Sequence, residues 1–196
     1  MKTYVATKNS DKLRELRELF AGSELELEAY PPYIEVDEAA SDYAGNALLK
    51  ARGLKAQLGE IALEAAVIAD DSGIEVDALD GRPGIFSARY GGDIAWPARL
   101  NMLLGELDGV PDERRGARFV CAMALFQPDG SIVQSHGEVP GFVARQPVGE
   151  NGFGYDPIFY YPPLKKTFGE ISEQEKNRLS HRYRACQSML TALRST

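Results

Sequence analysis

The run Ala65-Ala66-Val67-Ile68-Ala69 leads without a spacer into Asp70-Asp71-Ser72-Gly73. A short apolar run of this kind reads as a buried strand. Two carboxylates at its end are costly to bury unless they are paired, protonated or bound to a cation. The motif therefore has two readings. One is a strand-to-turn junction, where Asp, Ser and Gly are ordinary residues. The other is a site that holds a cation or activates a water. The rest of the chain has to choose between them.

At 196 residues the chain has room for one domain with a substantial core. We expect residues 1–196 to form one domain or one compact two-lobed unit. A net charge of −7 excludes a general nucleic-acid coat, which needs a basic face. It leaves room for a small anionic ligand, which needs only local positive charge. Cys121 and Cys186 match no metal spacing and read as reduced thiols. No apolar run approaches the roughly 20 residues that span a bilayer, and the start of the chain has no cleavage-site pattern. The expectation is a cytoplasmic protein with no membrane or nucleic-acid partner.

Alternation and helical spacing predict strands over 3–7, 24–29, 65–69, 118–126 and 131–139, with a further one over 141–145. Helices are predicted over 9–21, 40–58, 97–107 and 172–193. Ser172 and Glu175 have capping-box spacing at the start of the last. Alternating α and β pieces around a hairpin at Pro128-Asp129-Gly130 indicate an α/β fold with a mixed sheet flanked by helices.

Four segments carry chemistry-bearing residues. Thr7-Lys8-Asn9-Ser10-Asp11-Lys12 joins a strand to a helix start, where free N–H groups and the helix dipole favour an anion. Asp37 and Glu38, with Asp70 and Asp71, form two acidic groups on separate elements. A magnesium ion takes a few carboxylates, several waters and substrate phosphates. Gly152-Phe153-Gly154-Tyr155-Asp156-Pro157 offers aromatic faces and a carboxylate suited to a nucleobase, or equally a tight loop packed on the core. Lys176 and Ser180-His181-Arg182 supply donors for a carbonyl or a phosphate.

Together these segments resemble the non-canonical purine nucleoside triphosphate pyrophosphatases, the inosine triphosphatase family. The resemblance rests on Ala6-Thr7-Lys8-Asn9-Ser10-Asp11-Lys12, Gly45-Asn46-Ala47-Leu48-Leu49-Lys50-Ala51 and Ala69-Asp70-Asp71-Ser72-Gly73. It rests also on Gly81-Arg82-Pro83-Gly84-Ile85-Phe86-Ser87-Ala88-Arg89, Gly152 to Pro157 and Ser180-His181-Arg182. It implies an elongated mixed sheet with two lobes around a nucleotide cleft, a homodimer, Mg²⁺, and hydrolysis of ITP, dITP and XTP to the monophosphate and pyrophosphate. It implies Asp71 as general base and metal ligand with Glu38, and Asp37 and Asp70 as lesser metal candidates. Thr7 to Lys12 and Ser72 correspond to substrate contacts, Phe153 to Asp156 to the base pocket, and Lys176, His181 and Arg182 to further nucleotide contacts. Three positions depart from the family pattern: Lys8 for a usual Gly, Gly45 for a usual Glu, and Asp42-Tyr43 for a frequent Thr-Phe. The apolar aromatic pieces around Ile85-Phe86 and Ile94–Trp96 are candidates for the dimer surface. Two rival readings remain: a phosphatase or pyrophosphatase for another modified nucleotide, and a non-catalytic nucleotide sensor.

Overall fold

Strand β1 (Lys2–Val5) lies between β2 (Glu26–Ala29) and β3 (Ala66–Val76), parallel to both. In register, Val5 sits beside Ala29 on one side and Ile68 on the other. The remaining strands are β4 (Gly116–Phe126), β5 (Ile132–Val143), β6 (Phe159–Tyr161) and β7 (Lys166–Thr167), and the sheet runs β2-β1-β3-β4-β5-β6-β7. The last two pairings are antiparallel, so the seven-stranded sheet is mixed. Helices are α1 (Ser10–Leu19), α2 (Tyr43–Leu58), α3 (Trp96–Glu106), α4 (Glu173–Lys176) and α5 (His181–Arg194). This computed structural model describes residues Met1 to Ser195.

The chain packs as two compact units. The first comprises Met1–Asp71, Cys121–Gly137 and the chain from His181 onward; the second comprises Ser72–Val120 and Glu138–Ser180. In the first, strand alternation sorts β3 into two faces. Ala66 and Ile68 pack with Leu16 of α1, with Phe20 at its C-cap and with Ala185 and Met189 of α5. Val67 and Ala69 pack with Ala47, Ala51 and Leu54 of α2. At Gly137 of β5, an added Cβ would meet the backbone of Ala185 and His181, so only glycine lets α5 lie this close. In the second unit, Ile74 and Val76 join Leu100, Leu103 and Leu107 near α3 and an aromatic group of Phe119, Phe159 and Phe168.

Three sequence expectations need correction. The strand predicted over 65–69 does not stop at the acidic motif; it runs on to Val76. Both acids are paired with cations, which removes the penalty that would have ended a buried strand, and Ile74 and Val76 keep the alternation. The strands predicted over 131–139 and 141–145 are one strand, β5, because Pro140 does not interrupt it. The predicted helix over 172–193 is two helices. Ser172 and Glu175 do form the capping box, but Asn177 ends α4. The N–H groups of Arg178 and Leu179 then bond to Glu175 and Lys176 in tight i to i+3 turns, which spend the helical ladder before α5 begins. The other boundaries shift by a few residues. Asn9 caps α1 and Asp42 caps α2, so each helix starts just past its cap.

Candidate active site

Because β3 runs through the motif, Asp70 and Asp71 point to opposite faces of the sheet. Asp70 follows Ile68 toward α1 and α5, where it is 3% exposed. Its Oδ2 accepts from Arg182 Nε at 3.2 Å and Nη2 at 3.1 Å, and lies 3.2 Å from Lys12 Nζ. Arg182 Nη1 also donates to Glu15 Oε2 at 2.8 Å. Glu15, Asp70 and Arg182 are all buried, so two carboxylates and two cations form a nearly closed, charge-balanced cluster. Burial by itself would raise the Asp70 pKa. Lys12, Arg182 and Lys50 outweigh it and hold the carboxyl well below the usual range.

Asp71 follows Ala69 toward α2. Its Oδ1 accepts from Lys50 Nζ at 2.8 Å, and its Oδ2 from Asn46 Nδ2 at 3.2 Å. The same ammonium donates to Glu38 Oε1 at 2.9 Å. Asn46 Oδ1 accepts from the Ala40 N–H at 3.0 Å, which fastens the segment before α2 to the aspartate. Burial raises the Asp71 pKa above the ordinary aspartate value, opposed by Lys50, so the neighbouring acids shift in opposite directions. For Lys50, burial disfavours charge, but Asp71, Asp70 and Glu38 prevail and raise its pKa. The ammonium therefore stays charged between two carboxylates from separate elements.

That arrangement bears on the metal. Glu38 and Asp71 converge on one cation, and the cation in place is Lys50. Two hard oxygen ligands suit a magnesium ion whose remaining ligands are waters and phosphates. Among the described residues no group of three or more His, Cys, Asp or Glu could hold a metal. The residues thus fit a metal that arrives with its substrate, not an all-protein cage. Asp37 is exposed, one residue from Glu38.

The strand-to-helix loop is preorganised. Thr7 Oγ1 accepts from the Asn9 N–H at 3.1 Å, and Asn9 Oδ1 accepts from the N–H groups of Asp11 and Lys12 at 2.9 and 3.1 Å. Asp11 is paired with Arg14. Lys8, Asn9 and Ser10 are exposed.

In the second unit, Asp156 is buried at 1% exposure. Its Oδ2 accepts from the Phe153 N–H at 2.8 Å and from Lys176 Nζ at 2.6 Å. The Lys176 ammonium also lies 4.6 Å from the Phe153 ring centroid. Gly152 has φ of +72°, and a Cβ there would strike the Asp156 carboxylate, so this tight loop requires glycine. Tyr155 is buried, with its hydroxyl donating to the Ser87 carbonyl at 3.0 Å. Ser72 is half-buried at the start of this unit.

Within the first unit the fold brings Asp71 together with Glu38 on one face of the sheet and Asp70 together with Lys12 and Arg182 on the other; within the second it brings together Phe153, Asp156 and Lys176. His181 is buried at the first residue of α5. Arg182 is at the centre of the Asp70–Glu15 cluster, with three of its N–H groups committed there. Three residues that the sequence reading did not single out are central: Lys50, Asn46 and Glu15. The signal for two of them was present. Asn46 and Lys50 are one helical turn apart, beside Ala47 and Ala51 on the apolar stripe of α2, where unneeded polar groups are expensive. The Gly45 departure also has a local cause. A Cβ there would lie 2.6 Å from the Ala40 Cβ and 3.1 Å from Asp42 Oδ1, so glycine admits the segment that Asn46 fastens. Asp42 in turn accepts from the Gly45 N–H at 2.6 Å.

Known proteins share this arrangement along the whole chain. A dITP/XTP pyrophosphatase of Bacillus cereus is 46% identical over 191 residues, covering 94% of this chain and 91% of that protein. Another protein of that name, from Desulforamulus reducens, is 41% identical over 197 residues, covering 98% and 96%. The structure of a HAM1 protein from Coxiella burnetii, 37% identical, matches with a TM-score of 0.87 over all of both chains. The Staphylococcus aureus Ham1 protein, 36% identical, matches at 0.83 over 100% of this chain and 99% of the other. Residues 3–192 match the Ham1 family. With the family match spanning nearly all of the chain and relatives above 40% identical along it, the chain belongs to the Ham1 family.

Proposed function

We propose that this protein hydrolyses the non-canonical purine nucleotides ITP, dITP and XTP to the monophosphate and pyrophosphate, clearing them from the nucleotide pool. The names of its relatives support the activity. The observation that carries the site is the Lys50 ammonium held between Asp71 and Glu38 at 2.8 and 2.9 Å. Two carboxylates from separate elements converge there on one cation, which supports a cation-assisted reaction at this point.

Asp71 accepts the proton of the attacking water or aligns it, and Asn46 fixes the carboxylate's second oxygen for that task. Lys50 favours the ionised form of Asp71 against the effect of burial and offers positive charge to the substrate's phosphates. Lys12 and the Thr7–Asp11 backbone meet the triphosphate. Glu38 and Asp71 would hold Mg²⁺, which would supply positive charge against the phosphate oxygens. Catalysis of this kind is mainly positioning and electrostatics. Phe153 to Asp156 and Lys176 contact the base, with Ser72 at the substrate. His181 donates to the 6-keto oxygen. Adenine presents a 6-amino donor there, and two donors facing each other cost roughly 1–3 kcal/mol. Arg182 acts by holding Asp70 and the start of α5. We assign the protein to the cytoplasm as a homodimer; no helix among the described residues is long and apolar enough to cross a membrane.

A nucleotide panel with Mg²⁺, read by pyrophosphate release, tests the proposal. ITP, dITP and XTP should release pyrophosphate far faster than ATP, and a chelator should stop it. Orthophosphate as the product, or ATP hydrolysed as fast as ITP, refutes it. Asp71→Asn should abolish turnover and keep the fold.

A further inference from the structure

Trp96 is the only tryptophan in the chain and opens α3. It is 38% exposed and stands outside the apolar core of its unit. Yet it is firmly held. The Arg99 guanidinium lies 4.8 Å from the indole, and Arg99 is itself fixed by bonds to the carbonyls of Tyr90 at 2.7 Å and Gly92 at 2.8 Å. The indole meets the Tyr155 ring edge-on, with centroids 5.3 Å apart and planes at 87°. Its six-membered ring lies against Gly154, where a Cβ would come to 3.5 Å of it. Trp96 therefore rests on the two central residues of the Phe153–Asp156 loop.

Tyr155 is 3% exposed and its hydroxyl is engaged with Ser87, so it presents little surface to a ligand. Trp96 is the large aromatic beside this loop that keeps surface available. A rigid, cation-backed indole left uncovered is poor economy for a core residue and well suited to stacking, since every base has a π-face.

We propose that Trp96 is a substrate-binding residue, an aromatic wall that packs against the purine held by the Phe153–Asp156 loop. This rests on the nucleotide reading above. It assigns Trp96 a role in base affinity and none in the chemical step.

The lone tryptophan makes the test direct. With metal removed by EDTA, IMP and ITP should quench the native tryptophan emission saturably, and inorganic pyrophosphate should not. Trp96→Ala should raise KM for ITP about tenfold, equivalent to ~1.4 kcal/mol, with kcat within about twofold. Trp96→Phe, which keeps an aromatic face, should recover most of that loss. A KM recovered by Phe but not by Ala, at matched thermal stability, separates binding from simple packing. If wild type hydrolyses ITP while IMP leaves the emission unchanged and Trp96→Ala keeps the wild-type KM, the proposal for Trp96 falls and the pyrophosphatase reading stands. Emission that follows protein dilution and ignores nucleotide places Trp96 at an interface between copies, and also overturns it. No ITP hydrolysis by wild type refutes the pyrophosphatase reading and Trp96 with it.

Discussion

Replacing Asp70 by Asn removes one charge from a cluster that closes on itself. The wild-type cluster balances Asp70 and Glu15 against Arg182 and Lys12. In Asp70→Asn, Arg182 loses one of its carboxylate partners, while its own side chain is 1% exposed. Lys12, at 18% side-chain exposure, has a route to water; the guanidinium has none. Breaking a buried pair by removing one partner costs about 3–5 kcal/mol. For a chain of this size each kcal/mol moves the midpoint by roughly 2–4 °C, so Tm should fall by roughly 6–20 °C. Asp71→Asn should cost less, because burial favours the neutral form of that carboxyl. Circular dichroism melts at neutral pH measure both. The sign of the pH dependence is also fixed. The folded-state pKa of Asp70 lies below the unfolded value, so its contribution is complete above the ordinary carboxylate range and declines as pH falls below about 4. The gap between wild type and Asp70→Asn should narrow there. A gap under about 0.5 kcal/mol at neutral pH, or an Asp71→Asn protein that melts earlier than Asp70→Asn, refutes the division of roles.

Lys50→Gln leaves Glu38 and Asp71 without their shared ammonium; kcat/KM for ITP should drop by about a hundredfold or more, comparable to losing one preorganised electrostatic contact, as pyrophosphate release will measure. Gly137→Ala should give little soluble, folded protein, since the new Cβ meets α5 backbone that has no rotamer to change; expression and melting temperature check it. Gly152→Ala should weaken ITP binding by displacing Asp156, visible as raised KM in a protein that still folds. Cys121 and Cys186 are both buried and free, and burial raises both thiol pKa values, that of Cys186 to about 12. A disulfide-exchange reagent at pH 8 should find almost no thiol in the native protein and two after denaturation.

Much of the site was legible in the residues themselves. Asn9 announces its helix because a side-chain oxygen before an apolar stripe satisfies the first N–H groups. Ser172 and Glu175 do the same through the capping box. The end of α4 was not legible, because the segment from Ser172 to Leu193 has helical spacing throughout and only the packing of its two parts breaks it.

The sequence by itself determined the element types, the mixed sheet and which segments bear charge, since all of these follow from local period, caps and turn residues. It also placed Asp70-Asp71 after a buried strand. Only the tertiary structure decided what the two acids do. A strand that continues past them sends Asp70 to α1 and α5 and Asp71 to α2. There Asp70 meets Arg182, 112 residues away, and Asp71 meets Lys50, 21 residues away. Partners at such separations leave no periodic trace in the chain. Whether a carboxylate stabilises the fold or waits for a cation depends on which charges the fold sets beside it.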